Sequence, residues 1–439
     1  MPIPFSEIYH PYHHAPAAAS GPAARVRVSR AERQALHAVP PRSGRLRVLM
    51  VTPFFGDGGG VGTAAKELTL QLQSQQIEVE VLHWWPGFSA PLLIDHAART
   101  IRLSSLKALL ASGREYDLLH FQSAAYGRRV KGGLHALCQR YPVPVMYTIH
   151  ALAAYCAEAM PAPGFANQLA DQLEMMDKAQ AIVLLTRDLL SLMGKHHPQY
   201  LARCHVIPNG TRQIGPCPAL ATAQQQARER FNPQQQYPLL LYLARIAREK
   251  GINELVRAMP ELKRRHPDCK LIIAGGVANH AEALDHTTLL RAALHAHGLH
   301  EGRDFAFAGW VDGAPKTALL DLADMVVMPS YYEHMPLTAL EAMARRKLVL
   351  LSDVVGVRHC FQTRSKARRS VLPICDGRNP QALVEAVGQA LAAPQEMQAI
   401  AARGYRQVQR HYNWRKVARR WINLYQSHFV QGNLHEHLN

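Results

Sequence analysis

The chain has 439 residues, of which 48% are hydrophobic and 19% charged, and its formal net charge is +17. That length accommodates two or three domains with large cores, and that balance excludes an intrinsically disordered chain. No apolar run reaches the roughly 20 residues that span a bilayer, and residues 1–12 lack a basic region followed by an apolar core, so neither a membrane helix nor a secretory signal is predicted.

Residues 1–45 read as a flexible basic arm, interrupted by Pro11, Pro16, Pro22, Pro40 and Pro41, with a short helix predicted over Arg30–His37. Its histidines, His10, His13 and His14, are too loosely spaced to specify a metal site. Order is predicted to begin at Leu46–Pro53, a short continuous apolar strand. A glycine loop follows over residues 56–62, then a helix over Thr63–Gln73 with Ala64, Leu68 and Leu72 at helical spacing. Further strands are predicted at Val79–His83, Leu118–Gln122, Val145–His150 and Ala181–Leu185, with a helix over Asn167–Lys178. Val206 and Ile207 close this half before Pro208-Asn209-Gly210, a turn whose Asn and Gly tolerate positive φ.

The pattern then restarts. Residues 213–236 read as a linker and a helix, followed by strands at Leu239–Leu243, Lys270–Gly276, Asp304–Gly309, Met325–Met328 and Val349–Leu351. A long basic helical region spans Ala382–Val430. Strands alternating with helices predict parallel sheets covered on both faces. The fold class is α/β, with two Rossmann-like domains at 46–212 and 213–400. Residues 401–439 are expected to form helices that cross back to the first domain, and a tail.

Several segments carry chemistry. Gly59 and Gly60 lie between a strand and a helix, the arrangement that brings backbone N–H groups to a phosphate. The spacing is not that of a dinucleotide fingerprint, and His83 stands where an acidic ribose reader would, which disfavours a nicotinamide cofactor. Arg245 and Lys250 follow the first strand of the second half; a forked guanidinium and a point charge suit phosphate oxygens. His150 ends a strand. Glu333 lies in the loop after the Asp324–Ser330 segment, and Glu341 about a turn and a half into the next helix, with Pro336 at its first position. Two carboxylates at such a strand-to-helix junction suit the hydroxyls of a sugar.

The run from Glu333 to Glu341 resembles the Glu-x7-Glu motif of the retaining GT-B glycosyltransferases of family 4, and the resemblance covers roughly residues 46–430. It implies the GT-B fold, two Rossmann-like domains facing across a cleft. It also implies transfer of a sugar from a nucleoside-diphosphate sugar, with uridine the commonest base, to a hydroxyl acceptor. Arg245 and Lys250 match the Arg-x4-Lys pair on the donor diphosphate, with Gly59, Gly60 and Gly275 close by. Glu341 would take the ribose, and Glu333 the donor sugar, beside His334 and Met335. His150 would reach the same sugar from the first domain. Glu333, His150, Arg245 and Lys250 are thus the expected catalytic group. Gly309-Trp310-Val311 resembles a segment bordering the nucleobase, with Trp310 itself expected in the core. His334 stands where the family commonly has Gly, and Ala244 where it usually has Gly before the Arg; the first departure bears on which sugar is accepted.

No cofactor and no metal are expected, since Arg245, Lys250 and a helix N-terminus would neutralise the diphosphate and no Asp-x-Asp ends a strand. The acceptor is open: a glycan, a lipid-linked sugar or a small molecule. Basic clusters at Arg128–Lys131, Arg358–Arg369 and Arg403–Arg420 add an anionic membrane surface as an expected partner. Seven cysteines without a Cys-x-x-Cys pair fit a reduced compartment, so the expected location is cytoplasmic, peripheral on the membrane's inner face. Alternatives are a nucleotide-sugar epimerase-like or binding protein and, more distantly, a nucleic-acid-binding protein. The latter predicts exposed aromatics among the C-terminal arginines; Tyr405, Tyr412, Trp414 and Trp421 read instead as packing residues, so no nucleic acid is expected.

Overall fold

A computed structural model describes residues 45–53, 55, 59–83, 99–102, 109–110, 113–123, 135–161, 164–211, 215–276, 280–363 and 365–436. The arm through residue 44, with its predicted helix, the glycines at 56 and 58, and the cluster at 128–131 lie outside them. The chain divides into two units. The first holds the chain through Leu185, Leu192–Ile207 and Ala418–Asn439; the second holds Thr186–Ser191 and Pro208–Val417.

The first unit is built on β1 (Arg47–Thr52), β2 (Glu78–His83), β3 (Arg99–Arg102), β4 (Leu118–Phe121), β5 (Val145–Ile149), β6 (Ala181–Leu184) and β7 (Cys204–Val206). All pair in parallel, in the order β3-β2-β1-β4-β5-β6-β7. Every residue of β1, β4, β5 and β6 is buried, which is why they read as unbroken apolar runs rather than alternating ones. Helices α1 (Gly60–Ser74), α2 (Ala153–Ala159), α3 (Gly164–Lys178) and α4 (Arg187–His196) accompany them. α1 starts at Gly60, three residues before the position expected, because Gly59 caps it; it buries Ala64, Ala65, Leu68 and Leu72.

The second unit repeats the plan. β8 (Leu239–Leu243), β9 (Lys270–Ala274), β10 (Phe305–Gly309), β11 (Met325–Met328), β12 (Leu348–Ser352) and β13 (Leu372–Ile374) form a parallel sheet ordered β10-β9-β8-β11-β12-β13. Around it run α5 (Pro218–Phe231), α6 (Ile252–Arg265), α7 (His280–Ala296), α8 (Gly313–Leu322), α9 (Leu337–Ala344), α10 (Pro380–Ala392) and α11 (Pro394–His411); α12 (Trp414–Glu436) starts in this unit and belongs to the first from Ala418. Leu240, Tyr242, Leu255, Met259, Ile273, Val327 and Leu350 share one buried core with Leu383, Val387, Met397 and Ile400.

The basic region is three helices, and α10 and α11 pack on the second unit through their apolar stripes. Residues from Ala418 onward group with the first unit. Pro336 caps α9 from an extended conformation, and Leu337 is the first helical residue.

Candidate functional site

In both sheets the strand order reverses next to the first strand, between β1 and β4 and between β8 and β11. Chains leaving those two strands diverge, and the crevice beyond their carboxyl ends is where open α/β sheets bind ligands. Arg245, Lys250 and Glu333 follow the ends of β8 and β11, and Gly59 and Gly60 the end of β1; His150 follows β5, Gly275 follows β9, and Glu341 lies inside α9.

In the second unit, Arg245 lies two residues beyond β8, and Lys250 ends a single 3-10 turn, Arg248–Lys250. Ser330 lies two residues beyond β11 and Glu333 three further on. Lys250 Nζ donates to Glu333 Oε1 at 2.7 Å, and Ser330 Oγ donates to the same oxygen at 2.7 Å. The pair is largely desolvated, its side chains 19% and 6% exposed. Arg245 Nη2 donates to Glu249 Oε1 at 2.7 Å; Glu249 is buried, while the Arg245 side chain remains 38% exposed. The Tyr331 N–H donates to the Glu249 carbonyl at 2.9 Å, tying the loop after β8 to the loop after β11.

The loops approach main chain to main chain. Gly251 has φ +70°, and a Cβ there would stand 2.0 Å from the Pro329 carbonyl oxygen, so both the turn and the contact require glycine. A Cβ at Gly275 would meet the Ala244 carbonyl at 1.8 Å, which places Gly275 directly beside the residue before Arg245. A Cβ at Gly356 would meet the Glu333 carbonyl at 2.0 Å. His334 and Met335, each 5% exposed, pack inward, with the Tyr332 and His334 rings edge to face at 6.0 Å.

Glu341, in α9, accepts from Lys316 Nζ at 2.8 Å, and Lys316 also lies 3.2 Å from Asp312. Burial pulls the Lys316 ammonium down, but the Glu341 and Asp312 carboxylates outweigh it and its pKa ends above the ordinary lysine value. Thr338 Oγ1 donates to the Leu243 carbonyl at 3.0 Å, fixing the start of α9 to the end of β8. Trp310 is not in the core as expected. The left-handed Gly309, φ +71°, ends β10 just before it, and the indole is 51% exposed, lying over Gly276.

In the first unit, Gly59 (φ 90°) caps α1 and accepts from the Thr63 N–H at 3.1 Å, with Gly60 exposed as the first helical residue. His150 follows β5, and its Nε2 lies 2.7 Å from Gln122 Oε1. Gln122 Nε2 is 3.1 Å from Nε2 of His120, a fully buried residue of β4. His120 Nε2 also meets Thr148 Oγ1 at 2.7 Å, and His120 Nδ1 meets the Tyr425 hydroxyl at 2.7 Å. Burial, and then the neighbouring His150, push His120 down to about 3; burial alone pushes His150 down to about 4. Both imidazoles are neutral at pH 7.

The structure therefore joins Lys250 to Glu333 and sets Gly275 against the loop that carries Arg245. His150, Gly59 and Gly60 belong to the first unit. Sequence reasoning missed Glu249, Ser330, Lys316, His120 and Gln122. Glu249 lies four residues from Arg245 on one turn and Ser330 three from Glu333, so both were within local reach; Lys316, 25 residues from Glu341, carried no local signal. Among the described residues no group of three or more His, Cys, Asp or Glu side chains is arranged to hold a metal ion, and no helix is long and apolar enough to cross a membrane.

Two family models match: glycosyl transferases group 1 over residues 223–407 and glycosyltransferase family 4 over residues 58–212. The chain is 26% identical over 408 residues to a D-inositol 3-phosphate glycosyltransferase of Xylanimonas cellulosilytica, covering 85% of this chain and 93% of that one. Among solved structures it is similar to sucrose-phosphate synthase from Thermosynechococcus elongatus (TM-score 0.72, 20% identity, 88% of this chain and 100% of that one). It is also similar to Anabaena HepE, solved in complex with UDP-glucose (TM-score 0.68, 14% identity, 87% and 100%). With two Rossmann-like units of this topology and matches spanning both, the chain belongs to the GT-B glycosyltransferases, of family 4 type, and is a glycosyl-transferring enzyme.

Proposed function

We propose that the protein transfers a sugar, with retention of anomeric configuration, from a nucleoside-diphosphate sugar, most simply a UDP-sugar, to a hydroxyl acceptor in glycan synthesis. The observation that carries this reading is the desolvated Lys250–Glu333 pair beyond the carboxyl ends of β8 and β11. A cation and a carboxylate held 2.7 Å apart suit a substrate with a phosphate next to a polyhydroxylated ring. UDP is favoured as the carrier by the likeness to HepE, whose structure contains UDP-glucose.

In this reading Lys250 and the exposed face of Arg245 receive the diphosphate, with Gly275 admitting it close to the backbone, and Gly59 and Gly60 present the N-terminus of α1. Glu333 accepts from donor-sugar hydroxyls beside His334 and Met335, Glu341 accepts from the ribose hydroxyls, and His150 bonds a sugar hydroxyl. The bond from the anomeric carbon to the phosphate oxygen breaks as the acceptor oxygen bonds to that carbon on the same face. The acceptor proton passes to the departing phosphate. Fixed cations aimed at the charge that develops on that phosphate lower the barrier, and they do so here without a cofactor or metal ion. The acceptor is a glycan, a lipid-linked sugar or a small molecule. Exposed Arg406, Arg410, Arg415 and Lys416 suit an anionic membrane surface on the cytoplasmic side.

The test is the stereochemistry of the slow hydrolysis that occurs when water replaces the acceptor. With UDP-glucose, proton NMR should show the α-anomer released before mutarotation. Release of the β-anomer would contradict retention. Nucleotide-sugar binding with no release and no glycoside formed on any acceptor would favour a binding protein instead.

A further inference from the structure

The hydrogen-bonded chain behind His150 has a direction. An amide nitrogen only donates and an amide oxygen only accepts. The Gln122 oxygen faces His150 Nε2 and its nitrogen faces His120 Nε2. His150 therefore carries its proton on Nε2, and His120 presents at Nε2 a lone pair shared by the Gln122 amide and the Thr148 hydroxyl, 2.7 Å away. The His120 proton is on Nδ1, where the Tyr425 hydroxyl accepts it. Gln122 and Thr148 are 2% and 1% exposed and His120 and Tyr425 are fully buried, so solvent is kept from the bonds of His120. The Trp421 ring packs on His120 at 4.6 Å between centroids, holding it in place.

We propose that Gln122 is a positioning residue: with His120 and Tyr425 behind it, it fixes His150 in the tautomer whose Nδ1 lone pair accepts a hydrogen bond from a donor-sugar hydroxyl. The proposal rests on His150 as a sugar partner. Of the three forms of an imidazole, the cation has no lone pair and the Nδ1–H tautomer offers its only one to Gln122. Only the form selected here leaves an acceptor for a hydroxyl. The low proton affinities of both rings keep them neutral through the physiological range. Because the Gln122 amide reverses only as a whole, the tautomers of His120 and His150 are coupled through it.

Two-bond 1H–15N spectra of the full-length, histidine-labelled protein at pH 7 read the tautomers directly. Wild type should show His150 protonated on Nε2 and His120 on Nδ1. Tyr425→Phe removes the acceptor for the His120 proton, which should move to Nε2 and turn the Gln122 amide. The His150 proton should then shift towards Nδ1. Gln122→Met should leave His150 a mixture of tautomers, weaken UDP-glucose binding about tenfold, and leave UDP binding within about twofold. A wild-type His150 that is cationic or protonated on Nδ1 would overturn the proposal. So would equal losses for UDP and UDP-glucose in Gln122→Met, the mark of a merely structural role. If wild type binds neither ligand, the donor assignment fails, and the His150 signal in Tyr425→Phe still decides the relay on its own.

Discussion

Arg245, Lys250 and Glu341 of the second unit are each ion-paired, to Glu249, Glu333 and Lys316. In the first unit His150, Gln122, His120, Thr148 and Tyr425 are joined by neutral hydrogen bonds among buried groups. His150 and Gln122 follow β5 and β4, and Arg245, Lys250 and Glu333 follow β8 and β11, in sheets whose first six strands run in the same order. The fold supplies the position, and side-chain chemistry divides the labour. A charged set exchanges internal partners for a ligand's charge, whereas a neutral set offers directional hydrogen bonds to hydroxyls.

The contrast breaks first at Lys250. Lys250→Ala leaves the buried Glu333 carboxylate with the Ser330 hydroxyl as its donor, and removing one member of a buried pair costs about 3 kcal/mol. Denaturant unfolding should show that loss, and transfer should fall about a thousandfold. His150→Ala should cost transfer only about tenfold, the scale of a neutral hydrogen bond; equal losses from the two variants would erase the distinction. Gly356→Ala should be intermediate. Its Cβ, 2.0 Å from the Glu333 carbonyl, forces that loop to shift, and a displacement near 1 Å costs about a hundredfold in kcat without touching a charge. Lys316→Met should weaken nucleotide binding about tenfold by releasing Glu341, measured by titration with UDP alone.

The two sets also differ in their response to pH. His120 has its pKa pushed from 6.5 down to about 3, so the unfolded chain takes up a proton that the folded chain refuses between those values. Stability should therefore fall as the pH drops below 6.5, by about 1.4 kcal/mol per pH unit from this residue. His120→Gln should flatten that slope in unfolding titrations, while replacing residues of the ion-paired set should not.

The sheets were legible because buried parallel strands are continuous apolar runs. β3 and β13 were not: Arg99-Thr100-Ile101-Arg102 is framed by arginines, and β13 is three residues long with Pro373 at its centre. Arg245, Lys250, Glu333 and Glu341 were singled out by their resemblance to the family's Arg-x4-Lys and Glu-x7-Glu motifs. Their partners could not all be found, because Lys316 reaches Glu341 from a different helix, through tertiary packing. His120 and Gln122 were read as strand residues; nothing in Leu118–Gln122 signals a bond to Tyr425, 305 residues away. Trp310 was placed in the core on hydrophobicity alone, yet the end of β10 at Gly309 leaves it at the surface.

The central claim is that the Lys250–Glu333 pair receives a nucleoside-diphosphate sugar. Calorimetric titration of wild type and Lys250→Ala with UDP-, GDP- and ADP-glucose, in EDTA, tests it most directly. The account predicts that one nucleotide sugar binds wild type without metal, that UDP-glucose is that ligand, and that Lys250→Ala loses most of the affinity. Failure of all three to bind wild type, or unchanged affinity in the variant, would contradict it.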